Sequence, residues 1–438
     1  MSELPSAVSI KRNMNCCIYI LFDTLFLIKG KMSMITYDEV FAYQHLYECG
    51  KECLKGVLWK SSVQTYRLGM LNQCSILHNQ LMNRNYKSDG FKRFTINERG
   101  KTRLIQSVTI AERTVQKTLC KYALKPLLTP SLIYDNGASL EGKGTDFAIR
   151  RFKKHLTWHY RRYGLQGGIL ICDFHDYFHS IDHDILLGML RKKIKDDDIY
   201  NLTKYFIECF KDGGLGLGSE ISQICAIYYP NKMDHTIKEE YHIHGYARYM
   251  DDFYVISEDI EKLKEVYEYI KEVSKELHLT LNEKHTKIYR FDKHPTFTFL
   301  KNRTRLMSSG KIIIKLTKKN VKSRKHWVKK QKKLLNEDIV DYPYVENSMN
   351  TWLGYALKHK ESYKTIDDFE KYYNEIFGEE IMLQKEISKD LKRNNQLHIE
   401  EIKMLERIGN AINESYIREN SKLNTVIKSI QRYKEVSR

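Results

Sequence analysis

Asp251 and Asp252 stand side by side in Gly245-Tyr246-Ala247-Arg248-Tyr249-Met250-Asp251-Asp252-Phe253-Tyr254-Val255-Ile256-Ser257. The flanking runs are short, apolar and aromatic, with the β-branched bias of strands, so the acidic pair is expected at the tip of a hairpin. Two strands packed on a core would hold both carboxylates rigidly while leaving them open to a nucleotide. Such a site suits phosphoryl transfer with two divalent metals. One lowers the pKa of an attacking 3′-hydroxyl and the other neutralises charge on the leaving pyrophosphate. An Asp-Asp pair in isolation is more often an ordinary solvated turn, so the reading depends on the elements around it.

A further carboxylate lies upstream. Gly167-Gly168-Ile169-Leu170-Ile171-Cys172-Asp173 has the pattern of a buried strand, an apolar run closed by one Asp at its carboxyl end. If this strand neighbours the hairpin in one sheet, Asp173 and the Asp251-Asp252 pair converge, as two-metal chemistry requires. In Asp173-Phe174-His175-Asp176-Tyr177-Phe178, an aromatic ring at the offset of Phe178 could stack beneath the sugar of an incoming nucleotide and leave no room for a 2′-hydroxyl.

The remaining elements make a frame for these strands. Ile35 to Gln80 carries helical periodicity, and Phe91 to Ile105 has the pattern of a hairpin with a polar turn and a basic return strand. Helices are expected over Ala111 to Leu127, where Pro126 and Pro130 bracket the exit, over Asp184 to Phe210, from Ile221 to Tyr229, and over Ile260 to Leu277. A strand is expected over Phe297 to Leu300. Strand, helix, helix, hairpin, helix, strand describes an α+β sheet backed by helices. From Lys311 to Lys333 the chain is strongly basic, with Lys318, Lys319, Lys322, Arg324, Lys325, Lys329 and Lys330 around Trp327. A solvated helix face explains such a run by itself; beside a nucleotide site it reads as a surface that tracks a nucleic-acid backbone. Ile402, Leu405, Ile408 and Ile412 recur at helical spacing near the end, where helices would cap the fold or meet a partner.

Composition agrees with a polyanionic partner. The 438 residues include 73 Lys and Arg against 55 Asp and Glu, a formal net charge of +18. Aromatic residues make up 12%, with 30 Tyr interleaved among the basic residues, which suits contact with bases and sugars. Only six Pro and 22 Gly argue for a mostly folded chain. Nine Cys without a Cys-x-x-Cys pair or zinc-finger spacing read as reduced thiols in a cytoplasmic setting. The apolar segment Cys16 to Ile28 is short for a bilayer span and interrupted by Asp23, so no membrane is expected as a partner. It is taken as an extension upstream of a functional start at Met32 or Met34. The run Gly213-Gly214-Leu215-Gly216 is no P-loop, since no Gly-Lys-Ser or Gly-Lys-Thr follows.

With Asp173 and Phe178 upstream, Tyr249-Met250-Asp251-Asp252 resembles motifs C and A of the reverse transcriptases, and further motifs follow in that family's order. Leu217-Gly218-Ser219-Glu220-Ile221-Ser222-Gln223 is similar to motif B in the form found in diversity-generating retroelement enzymes and their bacterial relatives. Asp135-Asn136-Gly137-Ala138-Ser139 with Gly142-Lys143-Gly144-Thr145 resembles the same subgroup's second motif. Leu281-Asn282-Glu283-Lys284-His285-Thr286 resembles motif D, and Phe297-Thr298-Phe299-Leu300-Lys301 the primer-grip hairpin, with Lys301 where Gly is usual. The resemblance covers about Phe91 to Phe369. It implies that Asp173 and Asp251 hold two Mg2+ ions, or Mn2+, with the Phe174 carbonyl as a further ligand and Asp252 in support. Lys101 and Arg103 would neutralise the triphosphate. Lys284 would protonate pyrophosphate, with Lys287 as the alternative. Gly218 would let the backbone approach the nascent base pair, and Gln223 would contact template or nucleotide. His175, His179 and His183 recur every four residues, but the family's turn after motif A is too short and irregular to make them a metal face.

The resemblance implies an α+β right-hand polymerase: an N-terminal extension over 1–35, a helical segment over 36–90, fingers over 91–166, an antiparallel-sheet palm over 167–305, an α-helical thumb over 306–376 and a helical tail over 377–438. Its partners would be deoxynucleotides, a structured or noncoding RNA template, the RNA–DNA duplex, and an accessory protein or a second copy of the chain. The N-terminal segment and long tail point to antiphage defence, and the motif B form to a diversity-generating retroelement. Template-independent DNA synthesis is a further alternative. An RNA-binding protein with a vestigial site is the non-enzymatic one, and the intact carboxylates and Phe178 argue against it.

Overall fold

The computed structural model describes residues 35–98, 101–211, 213–394 and 407. The expectations for the N-terminal extension and for Ile402, Leu405, Ile408 and Ile412 lie outside the described residues. The chain enters through helices α1 (Tyr43–Leu54), α2 (Ser61–Leu68) and α3 (Met70–Met82). Their buried residues Tyr47, Val63, Tyr66, Met70 and Cys74 form a small core of their own. A hairpin follows, β1 (Lys92–Glu98) with β2 (Lys101–Ser107). Helix α4 (Ile110–Leu119) passes into a π-helical turn, Cys120–Leu124, and one more helical turn, Lys125–Leu128. Where periodicity predicts one helix, the chain changes its winding. Pro126 is tolerated because it sits in the first turn of the last piece.

Helix α5 (Thr145–Tyr163) leads into β3 (Gly168–His175). Ile169, Leu170 and Cys172 are fully buried, so β3 needs cover on both faces. The intervening helices are α6 (His183–Lys193), α7 (Asp197–Glu208) and α8 (Glu220–Tyr228). The chain then returns through β4 (Gly245–Tyr249) and β5 (Asp252–Ser257), α9 (Ile260–Glu276), and the short strands β6 (Thr280–Leu281) and β7 (Lys287–Arg290). β5 lies antiparallel to β3, with β4 outside it. On the other side of β3, β6 pairs with the carboxyl end and β7 with the amino half. Leu170, Cys172, Phe253 and Val255 face the larger core with α6, α8 and α9. Ile169, Ile171, Tyr254 and Ile256 face α5 and a second sheet.

That second sheet is a meander of β8 (Thr296–Phe299), β9 (Asn302–Leu306) and β10 (Ile312–Leu316). Strand pairing therefore continues past residue 305, where the sequence places the start of an all-helical region. Ile312 to Ile314 form a strand despite flanking lysines, because their alternating burial turns Ile312 and Ile314 into the core. Beyond lie α10 (Lys318–Asn336), α11 (Tyr342–Ala356) and α12 (Tyr363–Asn394), packed around Val328, Val345, Met349 and Phe369. Among the described residues no helix is long and apolar enough to cross a membrane.

Candidate active site

The register of the central sheet brings the predicted carboxylates together. Asp173 on β3 lies opposite Asp252 on β5, and Tyr249 opposite Asp252 closes the β4–β5 hairpin, leaving Met250 and Asp251 as its two-residue turn. The Phe174 amide donates to the Asp251 carbonyl at 3.3 Å, tying the turn to β3. Met250 holds φ at 56°, a region that disfavours side chains other than Asn, Asp or Gly. The turn persists because the structure beneath it is over-determined.

Arg248 supplies that determination. Its guanidinium and the Asp234 carboxylate are both fully buried, 2.6 Å apart. Arg248 Nη1 also donates to the Met250 carbonyl at 3.2 Å and Nη2 to the Ile227 carbonyl of α8 at 2.7 Å, while the Tyr246 hydroxyl donates to Asp234 at 2.5 Å. One planar cation thus fixes the Met250-Asp251 turn to α8. The Asp135–Asn136–Gly137 loop joins the same frame: the Gly137 amide donates to the Arg248 carbonyl at 2.9 Å, and Asn136 Nδ2 to the Ile227 carbonyl at 3.3 Å.

The carboxylates themselves are crowded. Burial, followed by the charges of Asp251 and Asp173, pushes the Asp252 carboxyl up to about 8, against the opposing charge of Lys301. Burial and Asp173 likewise raise Asp251, opposed by Arg103 from β2 and by Lys301. Burial and like charge outweigh the opposing charges of Arg103 and Lys301, so the net shift of both carboxyls is upward. Asp173 is held by Asn282, whose Nδ2 donates to Asp173 Oδ2 at 2.9 Å and whose amide donates to the Asp173 carbonyl at 2.8 Å. Among the described residues, no group of three His, Cys, Asp or Glu side chains is gathered into a metal site by itself. The donor set still fits Mg2+, which keeps several waters and takes one or two protein carboxylates together with substrate phosphates.

Phe178 is half-buried in the turn after β3 and packs edge-on against buried Tyr177. Its carbonyl accepts from the Leu215 amide at 2.6 Å, so the glycine-rich loop clamps this turn. Gly214 is required there: at φ +62°, an added Cβ would fall 2.4 Å from the His179 backbone. His183 bonds the Gly214 carbonyl at 2.5 Å and His179 bonds Asp176 at 2.9 Å, so these histidines serve separate contacts. Gly218, at φ +114°, adjoins the Gln106 backbone, where the Gln106 amide donates to the Leu217 carbonyl at 3.0 Å. It lines a cavity of about 340 Å³ with Gln223, Ser139, Gln116, Lys117 and Lys125. Ser139 Oγ donates to Gln223 Oε1 at 3.1 Å, joining the second motif to motif B.

Residues 87–357, more than half of the chain, match the family model described as reverse transcriptase (RNA-dependent DNA polymerase). The chain belongs to this family. Its α+β architecture is that of the reverse transcriptase polymerases, which are nucleotidyltransferases. Among solved structures it is similar to an apo telomerase from Candida tropicalis truncated from its C-terminal domain, at 14% identity and a TM-score of 0.41, covering 51% of this chain and 55% of that one. A telomerase from Candida albicans in complex with a TWJ fragment of telomeric RNA matches at 10% identity and a TM-score of 0.42, over 56% of this chain and 51% of that one. The chain thus spans about half the length of these solved chains. No curated protein sequence matches it.

The β1–β2 hairpin brings Arg103 within electrostatic reach of Asp251. Lys101 opens β2, and its side chain lies outside the described residues. Lys284 is exposed in the turn after β6, two residues beyond Asn282, whereas Lys287 is on β7 opposite Ile171. On α10, Lys318, Lys319, Lys322, Lys329 and Lys330 are exposed. Lys325 lies 4.6 Å over the Tyr372 ring. Arg324 differs from this basic surface. It lies 3.7 Å over Trp327 and donates to the Ser348 carbonyl at 2.6 Å, so it holds α10 to α11. Burial lowers its pKa to about 10.

Four residues near the site, Arg248, Asp234, Asn282 and Lys301, carry no role in the sequence reading. Arg248 and Asp234 are fourteen positions apart and look like surface charges. Asn282 stands inside the motif D resemblance without a function. Lys301 is legible only as an oddity, a lysine in place of glycine. With Leu300 it forms a turn in which both residues have positive φ, 46° and 62°, and its charge faces Asp251 and Asp252.

Proposed function

We propose that the protein is an RNA-directed DNA polymerase that adds deoxynucleotides to a primer 3′ end. The observation that carries this is the meeting of Asp173, Asp251 and Asp252 at one end of the central sheet, where their mutual repulsion calls for cations. Asp173, Asp251 and the Phe174 carbonyl would hold two Mg2+ ions, or Mn2+, with Asp252 in support. When bound, these ions supply the acidity of the 3′-hydroxyl and the charge balance of pyrophosphate. Asn282 keeps the Asp173 carboxylate aimed. Arg248 keeps the Met250-Asp251 turn from relaxing. Lys101 and Arg103 would supply positive charge for the triphosphate, and Lys284 would give its proton to the leaving group. Phe178 closes the space that a 2′-hydroxyl would need, while Gly218 and Gln223 meet the nascent pair beside the motif B cavity. The exposed lysines of α10 track the duplex backbone.

The template is a dedicated noncoding RNA and the setting is bacterial antiphage defence, a reading supported by the helical segment ahead of the fingers. The Leu217 to Gln223 motif favours a second setting, a diversity-generating retroelement, in which error-prone copying would use the same motif. Genomic neighbours separate the two: a noncoding RNA gene supports the first, and a template repeat paired with a variable repeat the second. The chemistry is tested by primer extension on RNA with Mg2+. Asp251→Ala is expected to lose at least about 10³-fold in incorporation rate. Extension by wild type no faster than by this variant on any template, including copurifying RNA, would sink the polymerase reading. In the same assay Phe178→Ala should admit ribonucleotides about tenfold more readily relative to deoxynucleotides.

A further inference from the structure

Helix α5 presents two contrasting faces. Phe152, His155, Leu156 and His159 are buried against the palm. His155 Nδ1 bonds the Tyr254 hydroxyl at 2.8 Å, and the Tyr160 hydroxyl donates to the Ser308 carbonyl at 2.5 Å. The helix is therefore rigidly mounted. Its outward face carries a groove of about 330 Å³ lined by Arg150, Lys153, Lys154, Thr157, Trp158 and Arg161. These residues recur at spacings of three and four and make one stripe about 16 Å long. Among the described residues, no carboxylate pairs with Arg150, Lys153, Lys154 or Arg161. Trp158 is half-buried, with its ring centroid 4.2 Å from that of His244 and the Arg162 guanidinium 5.6 Å away. None of these groups touches the carboxylates, which lie at the end of the sheet that α5 covers.

We propose that this groove is a second nucleic-acid site, which takes a single-stranded segment outside the polymerase cleft. The four cations of the stripe match phosphates spaced along one strand, and Trp158 offers a braced aromatic platform on which an unpaired base can stack. A duplex would satisfy the cations and leave the ring unused, because its bases are already stacked. The site lets the enzyme hold an RNA at one point while copying it at another.

The test uses the full chain, a labelled unstructured oligouridylate of about 12 nucleotides, the matching oligodeoxythymidylate, and a duplex. Trp158→Ala should weaken oligouridylate binding about tenfold, and Trp158→Phe should restore most of it. Lys153→Gln with Lys154→Gln should reduce the slope of log affinity against log salt by about 1.4. Extension of a short preformed primer–template should stay within about twofold of wild type in all of these variants, as expected for a site away from the chemistry. Equal affinity for both single strands supports readout of phosphate and base alone. Tighter RNA binding supports the site with added 2′-hydroxyl contact. Unchanged oligouridylate affinity and salt slope in the variants would overturn the proposal. So would a parallel loss of short-template extension, or duplex binding tighter than either single strand. The binding readout needs no polymerisation, so this site and the polymerase reading can fail separately.

Discussion

Arg248 and Asp252 stand four residues apart on one hairpin, in opposite electrostatic conditions. Arg248 is fully buried, yet its charge meets Asp234 and its remaining donors reach the Met250 and Ile227 carbonyls. Asp252 is half-buried beside Asp251 and Asp173 and is pushed toward its protonated form. A buried charge costs several kcal/mol unless it is paired and hydrogen-bonded. The support has met that cost from within the chain, whereas at the carboxylates above it Arg103 and Lys301 offset it only in part. A rigid, satisfied base beneath an unsatisfied tip is an economical way to keep three carboxylates together before anything binds.

The largest expected effect falls on the support. Arg248→Met leaves the buried Asp234 without its cation, with only the Tyr246 hydroxyl still donating to it, and should destabilise the fold by about 3–5 kcal/mol, read by denaturant unfolding. Adding Asp234→Leu should recover much of that loss, and a double variant as unstable as the single one would break the comparison. An intermediate effect is expected at Asn282. With Ala there, Asp173 loses its orienting donor, and the Mg2+ concentration for half-maximal extension should rise about 10- to 100-fold, with little change in melting temperature. The smallest effect concerns the tip. Because the native state binds the Asp252 proton more tightly than the unfolded chain does, this group's contribution to stability is fully present below pH about 4 and is lost as pH rises toward about 8. Metal-free protein should therefore melt at lower temperature at pH 8 than at pH 5. Asp252→Asn should flatten that slope and raise the melting temperature at pH 8 by about 2 °C. Added Mg2+ should flatten the slope in wild type, and no change with either Asn or metal would equate the tip with its support.

The sequence made the tip legible and the support nearly invisible. Asp173, Asp251 and Asp252 stand out because acidic residues close apolar runs, a local signal that needs no knowledge of pairing. Their meeting rests on one register, Asp173 opposite Asp252; the sequence made it conditional on the two strands being neighbours in one sheet. The Arg248–Asp234 pair depends on a contact across fourteen residues, and neither residue type suggests burial. The orienting bond from Asn282 likewise depends on how β6 docks on β3. Charge misled in two places. Lys311 and Lys315 hid a strand at Ile312–Leu316, and Arg324 looked like its exposed neighbours although it packs on Trp327. In the helix that begins at Ile110, apolar periodicity was blind to the π-helical turn at Cys120–Leu124, since one added residue keeps the same side buried.

The buried Arg248 also bears on how such a hairpin can be inherited or transplanted. Its partner carboxylate and its acceptor at Ile227 come from the segment after α8 and from α8 itself, fourteen and twenty-one residues upstream. The stretch from Tyr249 to Asp252 is therefore not a portable cassette. Grafted into a relative without an acid in the place of Asp234, it would import an orphan cation, whereas a graft spanning 227 to 257 would carry its own foundation.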